Sequence, residues 1–397
     1  MERKVLDIKK AERMDSVSEY FFSKKQKEID ALVAQGTEVI SLGIGGPDLP
    51  PHKDVVETLC KYAHMDNTHS YQPSKGIAPL RNAFAKWYDE KYGVKLDPAT
   101  EILQLVGSKE GIMQVFMTYL DKGDKVLIPN PGYPTYRAAA SLSGADCMEY
   151  MLKEENGWLP DFEEIEKAGV EGVKMLICNY PNMPTGTLPT KELFEKFVAF
   201  GKKHGILIVH DNPYSFTRNN MRLSMMSIPG AMENVIEFNS LSKSHNMAGW
   251  RMGVVVGAKE RIDDILTFKS NMDSGTFNPI QMASITALEL ADKWYDDLNK
   301  IYYERQDIGY KIMDALGCTY DQPQAGLFIW GKMPEGMGGD CFEVSDKILY
   351  DCGVFITPGG IFGSQGNNYL RISLCAPAEK LEKALQKVKA FMEGQKK

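Results

Sequence analysis

Residues 235–256 read VIEFNSLSKSHNMAGWRMGVVV and contain two strand candidates, Val235–Phe238 and Met252–Val256, on either side of a polar turn. Both candidates are nearly continuous apolar runs, as expected for strands that are covered on both faces. The turn carries Lys243 among serine residues, and Arg251 follows it eight positions later. This stretch therefore predicts a buried sheet whose strand ends carry polar side chains.

The same pattern extends through the middle of the chain. Amphipathic stretches separate the strands, and one of them, Lys191–His204, places its apolar side chains on one side and ends before Gly205, a suitable C-cap. The alternation predicts an α/β fold with a mostly parallel, doubly wound sheet. The further strand candidates are Glu101–Val106, Lys125–Ile128, Met175–Cys178 and Ile206–Val209.

The chain after residue 290 has a different pattern. Two long helices are predicted at Trp294–Ala315 and Ala378–Met392, with short strands between them at Gly326–Gly331 and Tyr369–Leu374. We therefore predict a second, smaller α+β domain. The predicted parts are an N-terminal arm with part of the small domain at 1–48, a large domain at 49–290 and the small C-terminal domain at 291–397.

Composition excludes several classes of protein. The 397 residues carry 53 acidic and 46 basic side chains, and the net charge of −7 argues against general binding to a phosphate backbone. No stretch approaches the roughly eighteen apolar residues of a membrane span, and the charged N-terminus lacks the core of a signal peptide. The seven cysteines are dispersed, and the histidines show no metal-ligand spacing. These features predict a cytoplasmic protein with reduced thiols and no metal site.

Polar clusters follow the strand candidates, at the edge where open α/β sheets bind ligands. Lys243 is either an ordinary surface lysine or a lysine desolvated enough for its amine to attack a carbonyl. Arg251 with neighbouring serine hydroxyls suits a phosphate dianion. Asp211 ends a buried strand, where an unpaired carboxylate is costly, so it needs a cationic partner unless it caps a turn.

Two further clusters are ambiguous when each is taken alone. Gly107–Gly111, with the sequence GSKEG, lies between a strand and a helix and suits either a phosphate site or a plain tight turn. It matches neither the dinucleotide fingerprint nor the Walker pattern. Arg371 lies in a predicted half-buried strand, where a guanidinium needs a carboxylate from a substrate or from an internal salt bridge.

Together and in this order, the motifs resemble those of the fold-type-I pyridoxal-phosphate enzymes, specifically the class I/II aminotransferases, over about Tyr20 to Arg371. The resemblance implies pyridoxal 5′-phosphate as cofactor and a homodimer with active sites shared across the interface. It also implies ping-pong transfer of an amino group from an L-amino acid to a 2-oxo acid, with 2-oxoglutarate as the expected acceptor. The GSKEG and SKSHNMAGWR segments look most like the branch of alanine, aspartate and LL-diaminopimelate aminotransferases.

The resemblance also implies a role for individual residues. Lys243 would form the Schiff base with the cofactor and shuttle the proton, Asp211 would keep the ring nitrogen protonated, and Tyr214 would hydrogen-bond the phenolic oxygen. Arg371, Gly45 and Tyr20 would bind the substrate. The other expected cofactor contacts are Ser108, Lys109, Tyr133, Asn182, Ser240, Ser242 and Arg251, with Tyr71 and Asn278 reaching a site of the partner subunit.

One position departs from the family pattern. The turn that usually reads NNPTG has Met183 in place of its second asparagine. In relatives this asparagine bonds the cofactor's phenolic oxygen and approaches the substrate carboxylate. Its loss is expected to weaken the carboxylate site unless Asn182 compensates, and it predicts an unusual substrate or a reorganised site.

Two alternative functions stay open. A C–S β-lyase on the same scaffold would use the same lysine and aspartate and would differ only in the leaving group. A non-catalytic regulator of this type would carry an added DNA-binding domain, but only about forty residues precede the motifs, with no basic helix-turn-helix pattern. A dehydrogenase is disfavoured because the dinucleotide fingerprint is missing.

Overall fold

The protein is described here by a computed structural model covering residues 5–394; residues 1–4 and 395–397, at the ends of the predicted small domain, lie outside the described chain. The strands are β1 Ile40–Ser41, β2 Ile102–Leu105, β3 Lys125–Asn130, β4 Asp146–Met151, β5 Val173–Asn179, β6 Leu207–Asp211, β7 Val235–Ser240, β8 Gly253–Gly257, β9 Phe328–Lys332, β10 Val354–Phe355, β11 Thr357–Pro358 and β12 Tyr369–Ser373.

The helices alternate with these strands through the middle of the chain and predominate after it. Within residues 5–394, none of them is both long and apolar enough to cross a membrane. The helices are α1 Phe21–Ala34, α2 Lys53–Ala63, α3 Ala78–Tyr92, α4 Ser108–Tyr119, α5 Pro134–Ser143, α6 Phe162–Ala168, α7 Lys191–His204, α8 Leu241–Ser244, α9 Lys259–Ser270, α10 Asn278–Leu288, α11 Asp292–Ala315, α12 Cys341–Cys352 and α13 Ala378–Gly394.

A seven-stranded sheet forms the centre of the molecule, with the order β2-β8-β7-β6-β5-β3-β4. Only β8 runs against its neighbours, β2 and β7, and the other adjacent pairs are parallel. The predicted doubly wound α/β fold is therefore confirmed. The sequence indicated six of these strands and missed β4, because its residues DCMEYM are mostly half-exposed at the sheet edge and form no apolar run.

Apolar layers cover both faces of this sheet. Successive residues of a strand point to opposite faces, and along β5 Met175 and Ile177 join one core while Leu176 and Cys178 join the other. Helix α7 contributes to the second of these cores, with the bounds that the sequence predicted. Burial on both faces leaves the carboxyl ends of the strands as the place where polar side chains can gather.

The N-terminal segment packs with the C-terminal elements. Strand β1 pairs with β10 in parallel, and β11, β12 and β9 form a separate antiparallel sheet. Ile29 of α1 contacts the core residues Leu349 and Phe355. These contacts are consistent with placing residues 1–48 beside the small domain, while the domain boundaries themselves stay a prediction.

A buried ion pair fixes the loop that follows β1. Arg305 on α11 is 3% exposed and donates to both carboxylate oxygens of Asp48, at 2.7 and 2.9 Å. The same guanidinium donates to the carbonyl of Leu374 at 3.1 Å. Because Gly45 lies three residues before Asp48, the pair anchors the stretch of backbone that carries this predicted substrate contact.

We predict that Asp48→Asn lowers the free energy of unfolding by about 3 kcal/mol, since the buried guanidinium then lacks a counter-charge. Urea denaturation measures the change. Asp297→Asn on α11, which removes an exposed partner of Lys293 and Lys300, is the control and should cost less than about 1 kcal/mol. Equal effects of the two substitutions would contradict a special role for the buried pair.

Candidate active site

A cavity of about 490 Å³ opens at the carboxyl ends of the central strands. It brings together residues that are far apart in the sequence, from the N-terminal arm to β12. Twelve of the predicted site residues line it: Tyr20, Gly45, Ser108, Lys109, Tyr133, Asp211, Tyr214, Ser240, Ser242, Lys243, Arg251 and Arg371.

Lys243 lies in the short helix α8, directly after the central strand β7. The side chain of Ser240 caps this helix by accepting from the backbone N–H of Ser242 at 3.2 Å, which fixes the direction in which the helix leaves the sheet. The Lys243 Nζ atom donates to the Gly45 carbonyl at 2.5 Å. Burial lowers the pKa of Lys243. The amine therefore loses its proton more readily than a surface lysine and is a better nucleophile.

Asp211 ends β6 and is 5% exposed. Its Oδ2 atom accepts from the Tyr136 hydroxyl at 2.8 Å, whereas its Oδ1 atom has no hydrogen-bond partner within the described chain. Burial raises the pKa of this carboxyl to about 6, although the Tyr136 hydrogen bond opposes the shift. The buried, half-satisfied carboxylate suits a cationic N–H donor such as a protonated pyridine nitrogen.

The Gly107 turn and Arg251 form a cradle that suits an anion. A Cβ atom added to Gly107, whose φ is +84°, would lie 2.0 Å from the Arg251 Nη2 atom, so the backbone can approach the guanidinium only without a side chain. Ser108 begins α4, and its hydroxyl has no partner among residues 5–394. The Ser240 and Ser242 hydroxyls lie 3.0 Å apart on the same cavity wall. A helix N-terminus, hydroxyls and a guanidinium together fit a phosphate group.

Arg371 lies on β12 and is 3% exposed. Its hydrogen bonds go to the carbonyl of Gly43, at 2.7 Å, and to the thioether sulfur of Met183, at 3.2 Å, rather than to a carboxylate. The Phe328 and Phe362 rings lie 3.8 and 4.6 Å from the guanidinium carbon. Burial lowers the pKa of Arg371 to about 10, so the group stays charged at neutral pH and suits an anionic ligand.

The Asn182 prediction is not supported by this geometry. The Asn182 amide donates to the Asn179 carbonyl at 3.1 Å, and its oxygen accepts from the Thr185 hydroxyl at 2.8 Å, so the side chain is used within its own turn. The cavity lining includes Asn179 and Met183 instead. Asn179 accepts from the Met183 N–H at 2.8 Å and donates to the Asp211 carbonyl at 2.7 Å. Neither asparagine amide is thus free to replace the one lost at position 183.

Tyr71 and Asn278 lie outside the cavity. Tyr71 is 89% exposed, and Asn278 donates to the side chain of Gln72 at 3.3 Å. Both were expected to act in a neighbouring subunit, and that role stays a prediction.

Sequence reasoning missed several residues of the cavity wall. Tyr136 had one usable signal, because it follows Tyr133 at the spacing that places two side chains on the same face of a helix. Phe328 and Phe362 had none, since an aromatic residue beside a strand usually belongs to a core. In the part of the chain that is described, no cluster of three or more histidine, cysteine or acidic side chains could hold a metal ion.

Comparisons with known proteins point in one direction. The family model described as aminotransferase class I and II matches residues 37–388. The LL-diaminopimelate aminotransferase of Oleidesulfovibrio alaskensis is 39% identical over 381 residues, covering 95% of this chain and 98% of that protein. The enzyme of the same name from Dehalococcoides mccartyi strain 195 is 40% identical over 386 residues, covering 97% and 99%.

Solved structures show the same similarity. Apo-BacF from Bacillus subtilis aligns with a TM-score of 0.93 at 32% identity, covering 97% of this chain and 98% of that one. A probable N-succinyldiaminopimelate aminotransferase from Thermus thermophilus aligns with a TM-score of 0.86 at 30% identity, covering 93% and 99%.

The pKa of Asp211 leads to a prediction for the ligand-free protein. The folded state holds this proton more tightly than the unfolded chain, so stability falls as the pH rises from about 4 to about 6. Asp211→Asn removes the free-energy cost of ionising this buried carboxyl and should stabilise the ligand-free protein by about 2 to 3 kcal/mol above pH 6.

Chemical denaturation of both proteins at neutral pH and near pH 4 measures this difference. The low-pH pair is the control, because the wild-type carboxyl is then largely protonated and the gain should shrink. A variant that is less stable than the wild type at neutral pH would contradict a net free-energy cost of keeping this buried carboxyl ionised.

Proposed function

Because this chain belongs to the class I and II aminotransferases, we propose that the cavity around Lys243 is its active site and that Lys243 carries the cofactor. The protein is a pyridoxal-phosphate-dependent enzyme that transfers an amino group between an amino acid and a 2-oxo acid. The observation that supports the placement is the buried lysine amine, with its lowered pKa, in one cavity with Asp211 and Arg371.

The cavity residues match the parts of pyridoxal phosphate. Arg251, Ser108, Ser240 and Ser242 would hold the phosphate group, and the free Oδ1 atom of Asp211 would hold a proton on the ring nitrogen. Tyr133, Tyr214 and Lys109 complete the cofactor contacts expected from this chain. When bound, the cofactor draws electrons from the carbon that carries the amino group, which makes the hydrogen on that carbon acidic.

Three parts of the chain would bind the substrate and transfer its proton. Arg371 would bind the α-carboxylate of each substrate, with the Gly45 backbone beside it and Tyr20 in the pocket wall. The Lys243 Nζ atom would remove the proton from the substrate's α-carbon, acting as a base. It would then donate this proton again, acting as an acid. The lowered pKa of Lys243 supports this role, since a neutral amine is needed for the first of these steps.

The curated relatives guide the choice of substrates. Because two curated relatives, at 39% and 40% identity, are named LL-diaminopimelate aminotransferases, we propose LL-diaminopimelate as the first donor to test, against L-alanine and L-aspartate. The proposed acceptor is 2-oxoglutarate. Pyruvate and ammonia released from a sulfur amino acid without formation of a second amino acid would instead identify a β-lyase.

We further propose a homodimer in which Tyr71 and Asn278 of one subunit complete the site of the other. Tyr71 is 89% exposed and Phe277, next to Asn278, is 41% exposed, which leaves apolar surface available to a second copy. His69 packs against the Phe277 ring at 5.7 Å, so the two segments form one surface.

The seven cysteines are free thiols, which supports a reducing compartment such as the cytoplasm.

Lys243→Ala tests the central assignment. We expect turnover to fall more than roughly a thousandfold, because both covalent attachment and proton transfer depend on this amine. Borohydride reduction of the loaded wild type, followed by peptide mass spectrometry, should place the cofactor on Lys243. Lys259→Ala on α9, a lysine paired with Asp263 at the surface, is the matched control and should keep normal turnover. Wild-type turnover in Lys243→Ala, or labelling of another lysine, would overturn the assignment.

Met183→Asn tests the altered carboxylate site. The new amide should donate to the substrate carboxylate, and the Arg371 Nη1 atom should lose its thioether partner. A hydrogen bond to a charged group contributes about 1.5 kcal/mol, so KM for the amino donor should fall about tenfold. Met183→Leu, which keeps the apolar volume, should leave KM near its wild-type value. An unchanged KM in Met183→Asn would show that position 183 does not face the carboxylate.

A further inference from the structure

A histidine and a glutamate lie buried directly behind Asp211. His210 on β6 is the register partner of Glu237 on β7, and both side chains are 0% exposed. Because His210 precedes Asp211 in the strand, the two side chains project to opposite faces of the sheet. The face that carries His210 is packed by apolar residues, and the Phe194 ring lies 4.8 Å from the imidazole. The pair is therefore outside the cavity but adjacent in the chain to one of its main polar groups.

The hydrogen bonds of the imidazole fix one of its protons. The Nε2 atom lies 2.9 Å from the carbonyl oxygen of Tyr180. A carbonyl oxygen only accepts, so Nε2 carries a hydrogen. The Nδ1 atom lies 2.8 Å from the Glu237 Oε2 atom, and one proton must lie between these two atoms.

The surroundings of Glu237 indicate where that second proton lies. Three further donors point at the carboxylate: the Tyr88 hydroxyl at 3.1 Å, the Ser224 hydroxyl at 2.8 Å and the Met225 N–H at 2.8 Å. Donors of this kind stabilise the ionised form of a carboxyl group. An ordinary imidazole also holds its proton about two pKa units more tightly than an ordinary carboxyl does. Both effects place the proton on Nδ1.

We propose that His210 is a buried imidazolium, paired with the Glu237 carboxylate, and that its charge helps to keep Asp211 ionised. The second half of this statement rests on the proposed function, because an ionised Asp211 matters for holding a proton on the cofactor's ring nitrogen. His210 touches neither cofactor nor substrate, so it is a positioning residue that acts through Asp211.

The electrostatic setting of Asp211 supports this role. Burial raises the pKa of Asp211 to about 6, and the Tyr136 hydrogen bond, the charge of His210 and the charge of Lys243 oppose that shift. The titratable neighbours of the pair include Cys178, the register partner of His210 on β5, and the hydroxyls of Tyr88 and Tyr92, and burial raises the pKa of all three groups. These groups therefore stay neutral, and the His210–Glu237 pair supplies the charge behind the site.

Nitrogen NMR of the loaded enzyme tests the charge on His210 directly. Protein labelled with ¹⁵N-histidine is measured at neutral pH, and the His210 signals are assigned by their loss in His210→Gln. Two protonated ring nitrogens with imidazolium shifts are expected. A neutral ring with one protonated nitrogen would overturn the proposal.

Glu237→Gln tests the effect on the cofactor site. Removal of the carboxylate charge should leave His210 neutral, and the apparent pKa of the ring nitrogen of ¹⁵N-labelled pyridoxal phosphate should fall by about one unit. Tyr88→Phe is the matched control, because it removes one donor to the same carboxylate without removing a charge. No shift in Glu237→Gln, or an equal shift in both variants, would overturn the electrostatic role.

A second variant, His210→Gln, guards against a folding defect in Glu237→Gln. A second sample, the ligand-free wild type, separates this proposal from the proposed function. His210→Gln removes the imidazolium but leaves the Glu237 carboxylate with its three other donors. Asp211 loses its positive neighbour in both variants, so the pKa of the ring nitrogen should fall in both, and the result does not depend on one variant folding. If pyridoxal phosphate does not attach to Lys243, the proposed function fails, while the NMR signals of the ligand-free wild type still decide whether His210 is charged.

Discussion

Desolvation of charged groups at one edge of the sheet is the constraint on which this structure depends. Lys243, Asp211 and Arg371 are all held in a cavity where burial works against their ionised forms. The chain leaves Asp211 Oδ1 and Arg371 Nε without partners among the residues described. Because an unsatisfied buried polar atom costs about 1 to 3 kcal/mol, the fold must supply the stability that keeps these groups apart and unpaired. A ligand with matching charges recovers that cost on binding.

The topology explains how such groups remain separated. Asp211 is the last residue of β6 and Lys243 follows the neighbouring parallel strand β7, so the sheet sets their spacing, whereas Arg371 comes from the antiparallel sheet of the C-terminal part. The loop after β1 connects Lys243 with Arg371, since the Gly45 carbonyl accepts from Lys243 and the Gly43 carbonyl accepts from Arg371. The loop in turn is held by the Arg305–Asp48 pair described above, so a single backbone segment sets the position of both cations.

Much of this arrangement could be predicted from the sequence, and the exceptions have physical reasons. Continuous apolar runs indicated the strands covered on both faces, but β4 lies at the sheet edge, where half-exposure removes that signal. Polar residues after strands indicated the cavity, because the carboxyl ends of parallel strands share one edge. The orientation of Asn182 could not be read in the same way, since its amide is consumed by hydrogen bonds within its own turn. Tyr136, in turn, joins the site through a hydrogen bond to Asp211 over a separation that no local pattern encodes.

Met183 lies where the sequence pattern of the class I/II aminotransferases predicts an asparagine. Its backbone N–H bonds to the Asn179 side chain, and its own side chain offers a weakly accepting sulfur and no amide. The sulfur takes one N–H of Arg371 and can donate nothing to a carboxylate. Three aromatic rings, Phe22, Phe328 and Phe362, surround the same guanidinium and limit the approach of water. A carboxylate that enters must therefore rely on the charge of Arg371 in an apolar setting, where that charge acts most strongly because little solvent screens it.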